Sequence, residues 1–211
     1  MSLAGIDVAV LCGGKGTRVA NLLGDIPKVL AKIEGRPYLD WLIDKMKNHG
    51  VKRIVLCAGH LSHKLIEWRN ARVGADVEIV LSVELRQEGT GGALRFARMA
   101  LTTNPVMVIN GDTIVNADLG EFVKYHGEAL GVTVLQARRF GAASDYRSAG
   151  HYLMSQAVLD DIVSKKIRSL EDYVHDRNDR RLWRSGVYYD IGSPGTLRRA
   201  GLFFESILDV A

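Results

Sequence analysis

Three glycines near the amino terminus of this 211-residue chain could form an anion-binding loop. Gly13, Gly14 and Gly16 follow a short apolar run and precede Thr17 and Arg18. Because glycine has no Cβ, the backbone N–H groups of such a loop can approach an anion closely, and a triphosphate would fit. The spacing matches neither the dinucleotide-binding fingerprint nor the P-loop. An ordinary turn has a similar composition, so the loop alone does not identify the ligand.

Two cationic side chains close to the loop favour phosphate chemistry. Arg18 directly follows the loop, and Lys28 comes after Pro27 further along the segment. Phosphoryl transfer needs fixed positive charge around the reacting phosphorus and the leaving pyrophosphate, because the protein contributes little covalent chemistry. Arg18 can bind phosphate oxygens as a bidentate fork, and Lys28 can act as a point charge on an α-phosphate.

The predicted elements around these residues alternate between strands and helices. Short apolar runs predict strands at residues 8–12, 53–58, 77–83, 106–109, 132–137, 151–155 and 183–191. Helical patterns cover residues 38–49, 61–71 and 91–101, and a last helix is expected from Pro194 onward. This alternation predicts an α/β fold with a parallel sheet covered on both faces. The length allows one substantial core and leaves little for a second domain.

The unusual polar residues follow the predicted strands. The glycine loop follows the first strand, Glu84 ends the third, and Asp112 ends the fourth. In open α/β sheets, ligands bind beyond the carboxyl ends of the strands, so we expect these residues to surround one ligand. An aspartate in such a position is, by itself, more often a turn residue or a helix cap.

The run LCGGKGTRVANLLGDIPK, from Leu11 to Lys28, resembles the signature of the sugar nucleotidylyltransferases, in which a Gly-Gly-x-Gly-Thr-Arg loop is followed by Pro-Lys. The segments EGRPYL at 34–39, EGTGGA at 88–93 and NGD at 110–112 are similar to three further motifs of that family, in the same order. The resemblance implies a Rossmann-like three-layer α/β/α nucleotidyltransferase fold with a mainly parallel, mixed sheet. It also implies a single domain over residues 1–211, with the nucleotide bound by residues 1–115 and the sugar phosphate by residues 116–211.

The same resemblance implies roles for individual residues. Arg18, Lys28 and Asp112 are the expected catalytic residues. The expected nucleotide contacts are Leu11, Gly13, Gly14, Gly16, Thr17, Glu84, Gly89, Thr90 and Asp112. Asp112 and Asp190, the latter in the family-like segment YDIGSP, are expected to bind Mg2+, which prefers hard oxygen ligands.

Glu84 suggests which base is bound, because the resemblance implies that the residue at the end of this strand faces the edge of the base. An ionised carboxylate only accepts hydrogen bonds, and guanine offers adjacent N1–H and N2–H2 donors, whereas uracil and thymine offer one N–H between carbonyls. Glu84 therefore suits guanine. The segment resembles the guanylyl-transferring branch of the family, which activates mannose 1-phosphate or D-glycero-D-manno-heptose 1-phosphate. The compact length agrees with the heptose-type members.

The resemblance weakens in the sugar-phosphate half. Between residues 138 and 147 the chain has a much shorter segment than the family, whose longer version carries a Glu-Lys motif that holds the sugar phosphate. Arg138, Arg139 and Arg147 are poor substitutes for that lysine, so the cation is unassigned. Ser148-Ala149-Gly150 resembles the later Asn-Ala-Gly motif with Ser in place of Asn. The expected sugar contacts are Gly111, Ser148 and Gly150.

The expected reaction is transfer of a nucleoside monophosphate from GTP to a heptose- or mannose-type sugar 1-phosphate, which gives an NDP-sugar and pyrophosphate. The resemblance implies that such a product is a precursor for capsule or lipopolysaccharide synthesis. Two alternatives stay open. One is a uridylyl- or cytidylyltransferase of the same fold. The other is a non-catalytic nucleotide-sugar binding protein that has lost the sugar half of the site.

Composition narrows the partners. The formal charge is only +4, which is too small for the dense basic face of a nucleic-acid binder. No segment has the features of a transmembrane helix or a signal peptide. Cys12 and Cys57 lie in apolar runs and are expected to be buried thiols in a reducing cytoplasm. His60 and His63 are expected to be ordinary surface residues. A homo-oligomer is compatible with the sequence.

Overall fold

The computed structural model describes residues 2–72, 76–142 and 145–208, and for residues 205–208 it describes only the backbone. The strands are β1 (Val8–Leu11), β2 (Lys32–Ile33), β3 (Arg36–Pro37), β4 (Arg53–Ala58), β5 (Glu78–Val83), β6 (Val106–Asn110), β7 (Thr113–Asn116), β8 (Val132–Arg139), β9 (Tyr146–Met154) and β10 (Arg181–Asp190). The α-helices are α1 (Ala20–Leu23), α2 (Tyr38–Asn48), α3 (Ser62–Asn70), α4 (Gly89–Ala97), α5 (Leu119–His126), α6 (Gln156–Ser164), α7 (Leu170–His175), α8 (Pro194–Arg198) and α9 (Ala200–Leu208). Two short 3-10 helices cover Lys28–Leu30 and Arg98–Ala100.

Eight strands form one mixed sheet in the order β5-β4-β1-β6-β9-β8-β10-β7. The neighbours β5, β4, β1 and β6 are all parallel, and so are β8 and β10. The pairs β6–β9, β8–β9 and β7–β10 are antiparallel. This arrangement confirms the predicted Rossmann-like α/β/α fold with a mainly parallel, mixed sheet. Strands β2 and β3 form a separate two-stranded sheet.

Alternate residues of the central strands enter two separate hydrophobic clusters. Val8 and Val10 of β1 belong to one cluster, and Ala9 belongs to the other. Because side chains of a strand alternate between the two faces of a sheet, each face is covered by its own core. Helices α2, α3, α5 and α9 contribute buried side chains to the first cluster, whereas α4, α6 and α7 contribute to the second. The sheet therefore lies between two layers of helices, with one hydrophobic cluster at each of the two interfaces.

The predicted helix ends are close to the observed ones. Helix α2 ends at Asn48, and Gly50 has a φ of +87°, a conformation that glycine adopts at little cost. Helix α8 begins after Ser193, whose hydroxyl accepts a hydrogen bond from the Thr196 N–H in a capping box, with Pro194 in the first turn. Within the described residues, no helix is long and apolar enough to cross a membrane.

Several elements were not among those predicted from the sequence. Strand β7 begins after only Gly111 and Asp112, yet it pairs with β10 at the far end of the sheet and not beside β6. Helices α5, α6 and α7 are short, and each begins at a capping side chain, Asp118, Ser155 and Ser169 respectively. Pairing of β8 with β9 extends to Arg138 and Tyr146, both of which belong to the segment predicted to be shortened. Residues 143–144 of that segment lie outside the described residues.

Candidate active site

A cleft of about 390 Å³ opens beyond the carboxyl ends of β1, β5 and β6. Eight of the predicted site residues line it: Leu11, Gly13, Gly14, Lys28, Glu84, Gly89, Thr90 and Asp112. The same walls include residues that sequence reasoning did not select, among them Gln87, Asn110 and Glu171. The cleft therefore unites segments that are far apart in the chain.

The glycine loop is held in place by its neighbours. The carbonyl of Gly13 accepts hydrogen bonds from the His60 N–H at 3.0 Å and from Nε2 of Gln87 at 2.6 Å. A Cβ at Gly14 would meet no protein atom within 4 Å, so the missing side chain leaves open space there. Gly16 has a φ of +58°, which explains a glycine at that position. Thr17 is exposed and lies outside the cleft lining.

Glu84 is buried in the cleft wall against two glycines. A Cβ at Gly13 would lie 3.1 Å from Oε1 of Glu84, and a Cβ at Gly59 would lie 2.8 Å from the same atom. Oε2 of Glu84 accepts a long hydrogen bond of 3.4 Å from the Glu88 N–H. Burial raises the pKa of the Glu84 carboxyl above its ordinary value, although the Glu88 N–H opposes the shift. Gly59 was missed because its role depends on close packing between separate loops.

Lys28 and Asp112 form an ion pair inside the cleft. Nζ of Lys28 lies 2.5 Å from Oδ2 of Asp112, and about a fifth of each side chain is exposed. The hydroxyl of Thr113 donates to the other oxygen, Oδ1 of Asp112, at 3.0 Å. Lys28 begins a 3-10 helix after Pro27, which fixes the direction in which its side chain leaves the backbone. A cation and an acid thus meet among the residues that line the cleft.

The β7–β10 ladder brings Asp190 to the same place. Asp190 pairs with Thr113 across the two strands, and the Ile191 N–H donates to the Asp112 carbonyl at 3.0 Å. A Cβ at Gly192 would lie 2.9 Å from Oδ1 of Asp190, 3.2 Å from NH2 of Arg18 and 3.7 Å from Oδ2 of Asp112. Two acids and an arginine from three regions of the chain therefore converge beside Gly192.

Arg139 occupies the other side of Asp190. NH2 of Arg139 lies 3.0 Å from Oδ2 of Asp190, while Oδ1 of Asp190 accepts a hydrogen bond from the Gly192 N–H at 3.0 Å. Sequence reasoning had treated Arg138, Arg139 and Arg147 alike. The structure distinguishes Arg139, because only the register of β8 against β10 determines which arginine can reach the acid.

The second glycine-rich segment packs against the start of α7. The hydroxyl of Thr90 donates to Oε2 of Glu171 at 2.7 Å and accepts from the Leu170 N–H at 2.8 Å. The Gly91 N–H donates to the Arg168 carbonyl at 2.9 Å. Thr90 thus fixes the wall that carries Glu171. A Ser-x-Glu pattern at 169–171, typical of a helix start, was the available sequence signal for this wall.

None of the three predicted sugar contacts is among the described residues that line the main cleft. Gly111 packs so closely on the Leu11 carbonyl that a Cβ would lie 2.7 Å from its oxygen. Gly150 has a φ of +66° and packs on the side chain of Asn110. Ser148 lines a separate pocket of about 260 Å³, and Glu171 lines both this pocket and the main cleft. The two spaces therefore share one wall.

Tyr38 lies behind the two acids and was not selected from the sequence. It is fully buried, and among the described residues its hydroxyl has no hydrogen-bond partner. Burial raises its pKa well above the ordinary value, and the negative charges of Asp112 and Asp190 add to the shift. Cys12 and Cys57 are buried free thiols, as predicted, and His60 and His63 are exposed. Burial also raises the pKa of the Cys57 thiol to about 12.

The donor set around Gly192 is suited to a magnesium ion that is shared with a substrate. The described residues contain no group of three His, Cys, Asp or Glu side chains able to hold a metal on its own. Mg2+ bound to nucleotides, however, usually takes only one or two carboxylates and completes its coordination with phosphate oxygens and water. The convergence of Asp112 and Asp190 fits that requirement.

The chain is similar to known proteins both in sequence and in fold. The chain is 25% identical over 211 residues to D-glycero-alpha-D-manno-heptose 1-phosphate guanylyltransferase from Campylobacter jejuni, with 88% of this chain and 94% of that protein covered. The enzyme of the same name from Aneurinibacillus thermoaerophilus is 25% identical over 223 residues, with coverage of 92% and 96%. The crystal structure of HddC from Yersinia pseudotuberculosis complexed with GMP-PN has the same fold, with a TM-score of 0.80 at 24% identity and coverage of 94% and 99%.

The family profile described as nucleotidyl transferase matches residues 8–141, which is more than half of the chain. The matched region contains the glycine loop, Arg18, Lys28, Glu84 and Asp112. The chain belongs to the nucleotidyl transferase family.

Proposed function

We propose that the protein transfers a guanylyl group from GTP to a sugar 1-phosphate of the heptose or mannose type, with release of pyrophosphate. The observation that carries this proposal is the convergence of Asp112, Asp190 and Arg18 beside Gly192, next to the Lys28 ion pair at the end of a glycine-lined cleft. Acids without cations would repel a triphosphate, and cations without acids could not hold a bridging metal ion. Both are present together.

In this proposal the nucleotide half, residues 1–115, binds the triphosphate. The N–H groups of the glycine loop and the Arg18 guanidinium hold the β- and γ-phosphates, and Lys28 holds the α-phosphate. A sugar 1-phosphate oxygen attacks the α-phosphorus in line with the departing pyrophosphate, and no covalent enzyme intermediate is needed. Orientation and preorganised charge can each lower the barrier by several kcal/mol, on the order of 3 to 10.

Asp112 and Asp190 are the proposed ligands of Mg2+. The bound ion would neutralise charge on the nucleotide and acceptor phosphates. Asp112 is held by Thr113, and Asp190 is held by the Gly192 N–H, so both carboxylates are oriented before a ligand arrives. Preorientation of this kind reduces the rearrangement that binding requires.

Glu84 supports guanine as the base. Its carboxylate is buried in the cleft wall and can accept from the N1–H and N2–H2 donors of guanine. The curated relatives from Campylobacter jejuni and Aneurinibacillus thermoaerophilus are both named guanylyltransferases. Their names also support a heptose phosphate as acceptor. A mannose-1-phosphate guanylyltransferase from Mycobacterium tuberculosis, 31% identical over 140 residues, supports the mannose type.

The acceptor half is proposed to be residues 116–211, together with Gly111. Ser148, Gly150 and the pocket shared with Glu171 are the proposed contacts of the sugar. Mg2+ as the cofactor, a cytoplasmic location and a homo-oligomeric state are further predictions. The buried free thiols are consistent with a reducing compartment.

A panel assay tests the proposal. Purified protein is incubated with Mg2+, each of GTP, UTP, CTP, dTTP and ATP, and either D-mannose 1-phosphate or D-glycero-α-D-manno-heptose 1-phosphate, and pyrophosphate and NDP-sugar are measured. We expect both products with GTP and a clear preference for one acceptor. If products formed only with UTP or only with CTP, the proposed preference for guanine would be wrong and the protein would be a uridylyl- or cytidylyltransferase. Binding of a GDP-sugar without pyrophosphate from any pair would favour a non-catalytic binding protein.

A further inference from the structure

The reaction must bring two anions together, and the acceptor phosphate needs a positive partner of its own. Lys28 is paired with Asp112, and Arg18 lies at the Gly192 side of the acids. Both belong to the nucleotide half. Without a third cation, the acceptor phosphate would approach the triphosphate and two carboxylates with only the proposed Mg2+ to compensate its charge, which is unfavourable in a poorly solvated cleft.

Arg139 is directed at this place by the sheet. Across the parallel β8–β10 pair, Arg139 lies opposite Tyr188, and Asp190 is two residues further along β10 on the same face. Its guanidinium therefore reaches diagonally to Oδ2 of Asp190, at 3.0 Å. The Phe140 N–H donates to the Tyr188 carbonyl at 2.9 Å, so the backbone on both sides of Arg139 is tied to β10.

The guanidinium is held but still accessible. The Arg139 side chain is 48% exposed, and it lines a pocket of about 390 Å³ with Phe140, Tyr189 and Arg199. A guanidinium has five N–H donors in a rigid fork, so it can hold a carboxylate with one edge and offer other donors to a phosphate. Asp190 in turn directs one oxygen at Gly192 and the other at Arg139.

We propose that Arg139 binds the phosphate of the sugar 1-phosphate acceptor, with Asp190 holding the guanidinium in place. This inference rests on the proposed function. The inference assigns the cation for the sugar phosphate to Arg139, within the shortened segment of residues 138–147. Arg139 is the last residue of β8, and pairing with β10 fixes its position. Arg138, the neighbour on β8, projects from the opposite face of the strand, so its side chain is directed away from Asp190.

Steady-state kinetics with three variants test the inference: Arg139→Gln, Arg139→Lys and the matched control Arg138→Gln. We expect Arg139→Gln to raise the KM for the sugar 1-phosphate by roughly 10-fold to 100-fold, the value of a charge-assisted hydrogen bond, and to leave the KM for GTP within about twofold. Arg139→Lys should recover part of the loss. Arg138→Gln should behave like the wild type.

A different pattern would overturn the inference. If Arg139→Gln raised the KM for GTP and the Mg2+ requirement while the KM for the sugar phosphate stayed unchanged, Arg139 would serve only to position Asp190. Equal kinetics of Arg139→Gln and wild type would exclude any role in the reaction.

Calorimetric titration of D-mannose 1-phosphate, without nucleotide, separates this inference from the proposed function. If the wild type forms no NDP-sugar, the proposed function fails, but the titration still tests Arg139. Binding by the wild type and by Arg138→Gln, with at least about tenfold weaker binding by Arg139→Gln, would support a phosphate contact. Equal binding by all three proteins, or no binding by the wild type, would contradict it.

Discussion

Oδ2 of Asp112 accepts a hydrogen bond from the Lys28 ammonium group at 2.5 Å. The same oxygen faces Gly192, beside which Asp190 and Arg18 converge. A divalent cation bound between the two acids would compete with Lys28 for this oxygen. Lys28 must then turn towards the negative charge that arrives with the cation, which is the triphosphate. The ion pair therefore holds the Lys28 side chain close to the position at which it is proposed to bind the α-phosphate.

This relationship predicts that Lys28→Met has opposite effects on metal binding and on turnover: metal binding is retained and turnover is lost. Removal of the ammonium frees Oδ2 of Asp112, so the affinity for Mn2+ without nucleotide should be equal or higher, whereas turnover should fall at least about 100-fold because a transition-state charge contact is lost. Mn2+ binding is measured by electron paramagnetic resonance and turnover by pyrophosphate release. Near-normal turnover of Lys28→Met would contradict the role proposed for Lys28.

Glu84→Gln should weaken guanine recognition. The change removes a charged acceptor in the cleft wall and introduces an N–H2 group opposite the guanine donors, so the KM for GTP should rise roughly 10-fold to 100-fold. The control is Glu78→Gln, at the other end of β5. Competition between GTP and UTP in one assay measures the preference. An unchanged preference in Glu84→Gln would assign base recognition to other residues.

Gly59→Ala should act through Glu84 without touching the nucleotide. A Cβ at Gly59 would lie 2.8 Å from Oε1 and 3.1 Å from Cγ of Glu84, so the acid must move from its observed position. The same Cβ would lie 3.1 Å from the Gly13 carbonyl oxygen, a longer contact with the glycine loop. We expect the KM for GTP to rise, with a smaller effect on the KM for the sugar phosphate. Gly5→Ala is the matched control, since its Cβ would meet no protein atom within 4 Å and Gly5 is not among the residues that line the cleft. Wild-type KM values in Gly59→Ala would mean that Glu84 has room to shift.

Asp7 should contribute stability that depends on pH. Burial alone would raise its pKa, but hydrogen bonds from Thr102 and Thr103 and the charge of Arg53 outweigh burial, and the pKa lies below its ordinary value. A depressed folded-state pKa gives stability that is present above the unfolded pKa of about 4 and is lost as the pH falls towards the folded value. Asp7→Asn should therefore lower the free energy of unfolding at pH 7 by about 1–3 kcal/mol. Urea unfolding should show the difference from wild type narrowing between pH 7 and pH 3, and a constant difference would contradict this account.

The sequence predicts the central part of the fold well because strong signals coincide there. Strands β1, β4, β5 and β6 each contain an apolar run that reaches both faces of the sheet, and a glycine or a polar residue comes within two residues of each strand end. The observed Arg53–Ala58 strand has the predicted bounds. Gly13, Gly14, Glu84 and Asp112 follow these strands in the sequence, and they line the cleft together with Lys28. Their catalytic and binding roles remain predictions.

The second half is less predictable because its contacts depend on register and topology. Nothing local in Thr113–Asn116 indicates that this strand crosses to β10, yet that pairing is what brings Asp190 to Asp112. The family resemblance identified both acids in the sequence, but it did not predict the strand pairing that brings them together. The choice of Arg139 over Arg138 similarly depends on which face of β8 is directed at Asp190. The importance of Gly59 depends on how Glu84 packs against it, which the sequence does not show.

The central claim is that Asp112 and Asp190 hold one cation together. It is tested most directly by measuring the affinity for Mn2+ in the presence of GTP for four proteins: the wild type, Asp112→Asn, Asp190→Asn and the double variant. We predict that each single change weakens binding and that the double variant is little weaker than the worse single one, a coupling of at least about 1 kcal/mol. Penalties that simply add, or a single variant that binds like the wild type, would mean that the two acids do not share a metal ion.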